Sequence, residues 1–269
     1  MIRLEKIVVR GLTKVFSTRY GPVSALQDLN LVIHEGEFFV LLGPSGCGKT
    51  TLVRIIAGLE RHTSGEIAIA RTNAGKPLTA MVFQEDSVFP WMTVEANIGY
   101  GLRMQRASKD LHDRTVSEYL GKVGLVRFAR AYPFQLSGGM KQRVSVARAF
   151  AADPEVLLMD EPFGELDEQT RVLLQAELTR IWEGSRKTVV FITHSIDEAV
   201  VLGDRILLMT AAPGRVKALV DVPFLRPRRH YEMRVDPRYG QLTQHLWELL
   251  RDEVLKARAE EVRDNVPDL

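Results

Sequence analysis

The chain has 269 residues, with 36 Lys and Arg against 34 Asp and Glu, 45% hydrophobic residues and 26% charged ones. These proportions exclude a disordered or fibrous chain, and a net charge of +2 leaves no overall field for recruiting nucleic acid or anionic lipid. The single Cys47 excludes an internal disulfide and fits a reducing compartment. No run approaches the roughly 18 apolar residues of a membrane span, and the opening MIRLEKIVVRGL does not read as a secretory signal. Work at a membrane would therefore be done from its cytoplasmic side, through a partner.

Strand patterns come first, over residues 2–10 and 29–33, followed by the all-apolar run Phe38–Leu42. Such a run suits a strand covered on both faces, as in a parallel sheet under helices. A glycine-rich loop (43–48) and a helix (49–59) follow, then a short strand at 81–84. The pattern turns helical over 94–104, 109–123 and 138–152. Strand patterns return at 156–159, 189–193 and 205–209, with a helix at 169–183 between the first two. Strands, a helical block and strands again predict a helical insertion in an α/β core. Arg226, Arg228 and Arg229 read as a solvated loop. Residues 242–262 read as an amphipathic helix burying Leu246, Leu249, Leu250 and Leu255.

GPSGCGKTT, residues 43–51, satisfies the phosphate-loop pattern G-x-x-x-x-G-K-[ST] in its required context of strand, loop and helix. Gly43, Gly46 and Gly48, with Pro44, Ser45 and Cys47 between them, let backbone N–H groups turn inward into an anion-binding nest. The helix start at Lys49 adds its positive end. Lys49 supplies a mobile charge for the β- and γ-phosphates, Thr50 a hydroxyl for Mg²⁺, and Thr51 a bond to the α-phosphate. Cys47 has two readings: a thiol whose pKa the nest lowers, or a small loop side chain with no catalytic part. The apolar run 156–159 ends in Asp160, suited to Mg²⁺, and Glu161, placed to act as general base on a water. Ser137 opens a second helix as an N-cap, with Gly138 and Gly139 exposing N–H groups to an anion.

Together these motifs resemble the ABC (ATP-binding cassette) ATPase family over nearly the whole chain. Residues 43–51 match its Walker A loop, Gln84 its Q-loop, Leu136 to Met140 its signature loop and 156–161 its Walker B strand with the catalytic glutamate. Gly164 to Asp167 match the D-loop and His194 the switch histidine. An aromatic ahead of Walker A is expected to stack on adenine; Phe16 or Tyr20 fits, with Phe16 preferred. The resemblance implies a P-loop NTPase core with a mainly parallel sheet, an N-terminal antiparallel β subdomain and an inserted helical subdomain. The expected division is 1–85 with 154–225 for the core, 86–153 for the helical insert and 226–269 for a helical tail. It further implies two copies packed head to tail, each ATP lying between one copy's Walker A and the other's Ser137, Gly138 and Gly139. Gln84 would sense Mg²⁺ or the water, and His194 would hold the γ-phosphate. The D-loop departs from the usual Ser-Ala-Leu-Asp, because Glu165 adds a carboxylate where the copies should meet.

The string SGGMKQR on a chain without a membrane segment looks like the ATPase subunit of a bacterial importer, and residues 83–98 resemble the nitrate/sulfonate/taurine group. The implied partners are a second copy, a membrane permease and, indirectly, a solute-binding protein. Val88, Phe89, Pro90 and Trp91 are candidates for the surface that receives the permease. A nucleic-acid clamp of the same family is the rival. The short insert, the lack of a cysteine cluster and the balanced charge argue against it, so no nucleic acid is expected.

Overall fold

The computed structural model describes residues 4–84, 87–164 and 166–264. They form two units: one holds the described residues up to Ala70 together with those from Thr188 onward, the other Arg71–Lys187. In chain order, the first unit contains β1 (Glu5–Thr18), β2 (Gly21–His34), β3 (Phe38–Leu42), α1 (Lys49–Ile56) and β4 (Ser64–Ile69). The second contains β5 (Thr79–Val82), α2 (Val94–Ile98), α3 (Tyr100–Met104), α4 (Lys109–Lys122), α5 (Gly138–Ala151), β6 (Val156–Asp160) and α6 (Glu168–Ser185). The chain then returns to the first unit with β7 (Thr188–Thr193), α7 (Ile196–Leu202), β8 (Arg205–Met209), β9 (Val216–Asp221), α8 (His230–Arg234) and α9 (Pro237–Asp264).

In the first unit β2, β1 and β4 make an antiparallel sheet. The β1–β2 hairpin runs from Glu5 opposite His34 to Thr18 opposite Gly21. It is far longer than the apolar patterns at 2–10 and 29–33 suggest. Its outer half is held by ladder bonds and cross-strand pairs such as Phe16 with Val23 rather than by a buried face. The second sheet of this unit runs β7-β3-β8-β9, with β7, β3 and β8 parallel and β9 antiparallel at the edge. Every residue of β3, β7 and β8 is buried; β3 is wholly apolar, and the polar Thr188, Thr193 and Arg205 lie at the ends of the apolar runs of the other two. The edge strands β4 and β9 escape sequence reading because their side chains are half exposed and follow no clean alternation.

In the second unit β5 and β6 pair in parallel. The helix expected at 94–104 is interrupted at Gly99, where a Cβ would lie 2.3 Å from the imidazole Nε2 of His112. Thr93 and Ser108 cap α2 and α4 by accepting from the N–H of Ala96 and Leu111.

The basic loop of the tail differs from expectation. Arg226 and Arg228 are buried, and only Arg229 is solvated. Arg226 Nε donates to Asp204 at 2.8 Å. Arg228 donates to the carbonyl oxygens of Phe224, Val200, Val201 and Gly203. Three of these carbonyls close α7, whose last turn has no helical donors left for them, and the fork of a guanidinium satisfies several at once. A cation is also favoured at that end of the helix dipole.

Helix α9 buries Leu246, Leu250 and Glu253, while Leu255 is exposed, contrary to the expected apolar face. A carboxylate takes the buried position because three donors converge on it: Lys217 at 2.7 Å, the N–H of Ala211 at 2.9 Å and Lys256 at 3.0 Å. Burial alone would raise the Glu253 pKa, but these donors hold it down at about 2. The folded value lies below the unfolded one, so the stabilisation is complete above the ordinary glutamate range and is lost as pH falls through that range toward 2. A displacement of that size corresponds to no more than about 3 kcal/mol. Glu253→Gln is therefore expected to lower the unfolding free energy at pH 7 by about 1–3 kcal/mol. In denaturant titrations the gap to wild type should narrow below about pH 4.5; a gap independent of pH would remove the carboxylate from this role.

Candidate functional site

In the first unit the buried strand β3 delivers the chain into the turn 43–48 and then into α1. Gly46 and Gly48 have φ of +74° and +96°, a left-handed backbone open to glycine. At Gly48 a Cβ would also sit 2.6 Å from the Ala25 carbonyl oxygen. Lys49 folds back over the loop, with Nζ donating to the carbonyls of Gly43 at 2.8 Å and Pro44 at 2.9 Å. Its third N–H faces the Cys47 sulfur at 3.9 Å, a weak contact and the one most readily exchanged for a phosphate oxygen. The ammonium, though buried, is thus held at the concave side of the turn by its own loop.

Cys47 is fully buried, and burial pushes its thiol up against the opposing pull of Lys49. The lowered pKa considered from sequence is not what the fold produces; the interior of this turn is dry, and desolvation outweighs the nearby charge.

His194 follows β7 and is exposed. Its position is fixed by both neighbours: Thr193 donates to the buried Glu198 and accepts from the N–H of Ser195, whose hydroxyl caps α7. Gly43, Pro44, Ser45 and His194 line one cavity of about 270 Å³, so the turn and the histidine are brought together; the other wall of the cavity is α9. Phe16 lies half-buried on β1 with the Lys14 ammonium 4.4 Å from its ring centroid. Tyr20, at the hairpin turn, is 85% exposed under Arg19.

In the second unit Asp160 ends β6 and is buried. Glu161 follows with φ of +45°, a left-handed backbone that costs a non-glycine residue about 1–3 kcal/mol. The Gln84 side-chain nitrogen lies 3.5 Å from the Glu161 carboxylate. Ser137 is the N-cap of α5, its Oγ accepting from the Met140 N–H at 3.3 Å. That bond uses a lone pair and leaves the hydroxyl hydrogen free to donate outward, beside the exposed Gly138 and the half-exposed Gly139. Asp167 caps α6 by accepting from Thr170, a bond that lowers its pKa. Glu165, where the D-loop departs from the family, lies outside the described residues. Thr50 in the first unit carries a hydroxyl oxygen, and Gln84 and Asp160 in the second carry an amide and a carboxylate oxygen, each a hard donor of the kind Mg²⁺ takes. Among the described residues no three His, Cys, Asp or Glu side chains converge as a metal cluster.

The segment from Ser87 to Asn97 is held by more polar bonds than its sequence reveals. The buried Asn97 amide bonds Phe89, Met92 and Thr93, while Arg148 bonds Ser87 and lies over the Phe89 ring. Val88 is buried, which removes it from the exposed set, but Trp91 stacks on Phe89 and remains 69% exposed. Asn97 and Arg148 gave no signal in sequence, because neither belongs to a motif and their partners are loop carbonyls and hydroxyls.

A maleimide should label native Cys47 at pH 7 at least about tenfold more slowly than the chain unfolded in denaturant, since both burial and a raised pKa suppress the thiolate. Mg-ATP should slow it further. Equal rates for the native and unfolded chains would contradict the closed turn.

A family model described as ABC transporter matches residues 26–164. An uncharacterized ABC transporter ATP-binding protein of Methanocaldococcus jannaschii is 45% identical over 254 residues, 94% of each chain. The aliphatic sulfonates import ATP-binding protein SsuB of Bacillus cereus is 43% identical over 224 residues, covering 82% of this chain and 88% of that one. The taurine import ATP-binding protein TauB of Pelagibacter ubique is 42% identical over 224 residues, covering 82% and 84%. Among solved structures, a bacterial ABC transporter cassette in dimeric form has a TM-score of 0.71 and 32% identity, covering 81% of this chain and 100% of that one. The same cassette in a post-hydrolysis state with ADP and Pi also gives 0.71, at 33% identity. This α/β chain, with its phosphate loop, belongs to the ABC transporter family and is one of its ATP-hydrolysing cassettes.

Proposed function

We propose that the chain is the ATPase subunit of a bacterial ABC importer for a small anion such as nitrate, a sulfonate or taurine. In this reading it sits at the cytoplasmic face of the membrane, works as a head-to-tail pair around two Mg-ATP, and drives permease subunits fed by a solute-binding protein. The similarity to SsuB and TauB, both named as import ATP-binding proteins, carries the importer reading. The dimeric form of a 32% identical cassette supports the pairing. Among the described residues no helix is long and apolar enough to cross a membrane, in keeping with a peripheral subunit.

The chemistry follows from the side chains. The nest of Gly43, Pro44, Ser45, Gly46, Cys47 and Gly48 with Lys49 and Thr51 takes the phosphates, and Phe16 takes the adenine. Lys49 exchanges its weak sulfur contact for a phosphate oxygen and neutralises charge on the β- and γ-phosphates. Thr50, Asp160 and Gln84 would hold Mg²⁺, which supplies further neutralisation when bound. Glu161 accepts the proton of the water attacking the γ-phosphate in line, and Gln84, within reach of that carboxylate, orients it. His194 holds the γ-phosphate. Ser137, with its spare hydroxyl hydrogen, Gly138 and Gly139 serve the nucleotide of the second copy. Asp167 sets the turn that meets that copy through its cap on α6. Trp91, on the rigid support of Asn97, faces the permease.

Glu161→Gln is expected to lower ATP turnover by about 10² or more while leaving Mg-ATP affinity within a few-fold, and to accumulate as a dimer in light scattering with Mg-ATP. A monomer under those conditions, or near-normal turnover, would overturn the assignment. Lys49→Ala should weaken nucleotide binding itself. Trp91→Ala should keep the ATPase rate of the isolated subunit but lose transport in the reconstituted complex; transport at the wild-type rate would remove Trp91 from the docking surface.

A further inference from the structure

We propose that Arg258, on α9, contacts the terminal phosphate of bound ATP and makes the site discriminate triphosphate from diphosphate; this rests on reading residues 43–51 as the triphosphate cradle. The cavity over Gly43, Pro44, Ser45 and His194 is closed on its other side by Leu250, Val254, Ala257 and Arg258, one face of α9 at helical spacing. Thr51, in the first turn of α1, belongs to the α-phosphate end of the cradle. The opposite end, at Pro44 and Ser45, is the γ end, and this is the end on which the cavity opens.

Among the described residues, apolar side chains make most of the α9 wall and Arg258 is its sole charge. Among the described residues no carboxylate lines the cavity. At about 30 Å³ per water, 270 Å³ accommodates a phosphate group together with hydration. A guanidinium recognises phosphate through two parallel N–H donors, which suits it better than a lysine to a group with several equivalent oxygens.

The helix is placed for this task rather than merely nearby. Tyr239 donates to Asp197 on α7 at 2.5 Å. Leu246 and Leu250 are buried, and Glu253 is held by three donors. Val254 and Arg258 therefore continue from a fixed turn of helix. Diphosphate leaves the γ end without an anion, so Arg258 adds nothing to ADP binding.

The test measures binding of the Mg²⁺ complexes of a non-hydrolysable β,γ-imido ATP and of ADP to the full chain by calorimetry. Arg258→Ala is expected to weaken the triphosphate analogue about tenfold, the scale of one charge-assisted bond, with ADP unchanged within twofold. Arg258→Lys should recover part of the loss. Arg251→Ala, which removes the same charge from α9 outside the cavity, should change neither affinity. Unchanged triphosphate affinity in Arg258→Ala, an equal loss for both nucleotides, or the same loss in Arg251→Ala would overturn the proposal while leaving the cradle intact. A wild-type chain that binds neither nucleotide would overturn the cradle reading itself.

Discussion

The ammonium of Lys49, anchored on the carbonyls of Gly43 and Pro44, is the interaction on which the phosphate site depends. A buried cation without partners would either neutralise or pull its loop open. Here the loop's own carbonyl dipoles stabilise the charge, and the same bonds close the turn into its concave form. The fold is arranged to allow it: β3 is buried along its whole length, so the chain leaves the sheet at a fixed point, and Gly46 and Gly48 make the left-handed reversal before α1. Charge, curvature and helix dipole thus converge on one small volume before any ligand arrives, the preorganisation that electrostatic catalysis requires.

Much of this was legible in the sequence because the cradle is a contiguous string in which each residue type is dictated by local chemistry. The same holds for the caps: Ser137, set just ahead of two glycines, announces the start of α5. Long-range polar partners were not legible. The buried carboxylate of Glu253 is specified by Lys217 and the Ala211 backbone, dozens of positions away, so counting apolar residues on α9 selected Leu255 in its place. Arg226 and Arg228 look like solvated cations until Asp204 and the open end of α7 are placed beside them. For Cys47 the sign of the effect depends on how dry the turn is, a property of packing rather than of spacing.

The helical unit shows the same division between local and distant causes. Ser108 and Thr93 announce α4 and α2, whereas the order of the segment carrying Trp91 comes from Asn97 and Arg148, both committed to loop groups. An exposed aromatic on so rigid a support loses little entropy when covered, which is the physical advantage of presenting it there.

The two buried guanidinium groups at the start of the tail fix how the first unit bears load. Arg228 is tied into the C-terminal end of α7 and Tyr239 into its first turn, which begins next to His194. A pull on the tail would thus be resisted by a short, stiff helix rather than absorbed by a slack linker. Tension applied to α9 has a direct mechanical route to His194, the residue proposed to hold the γ-phosphate.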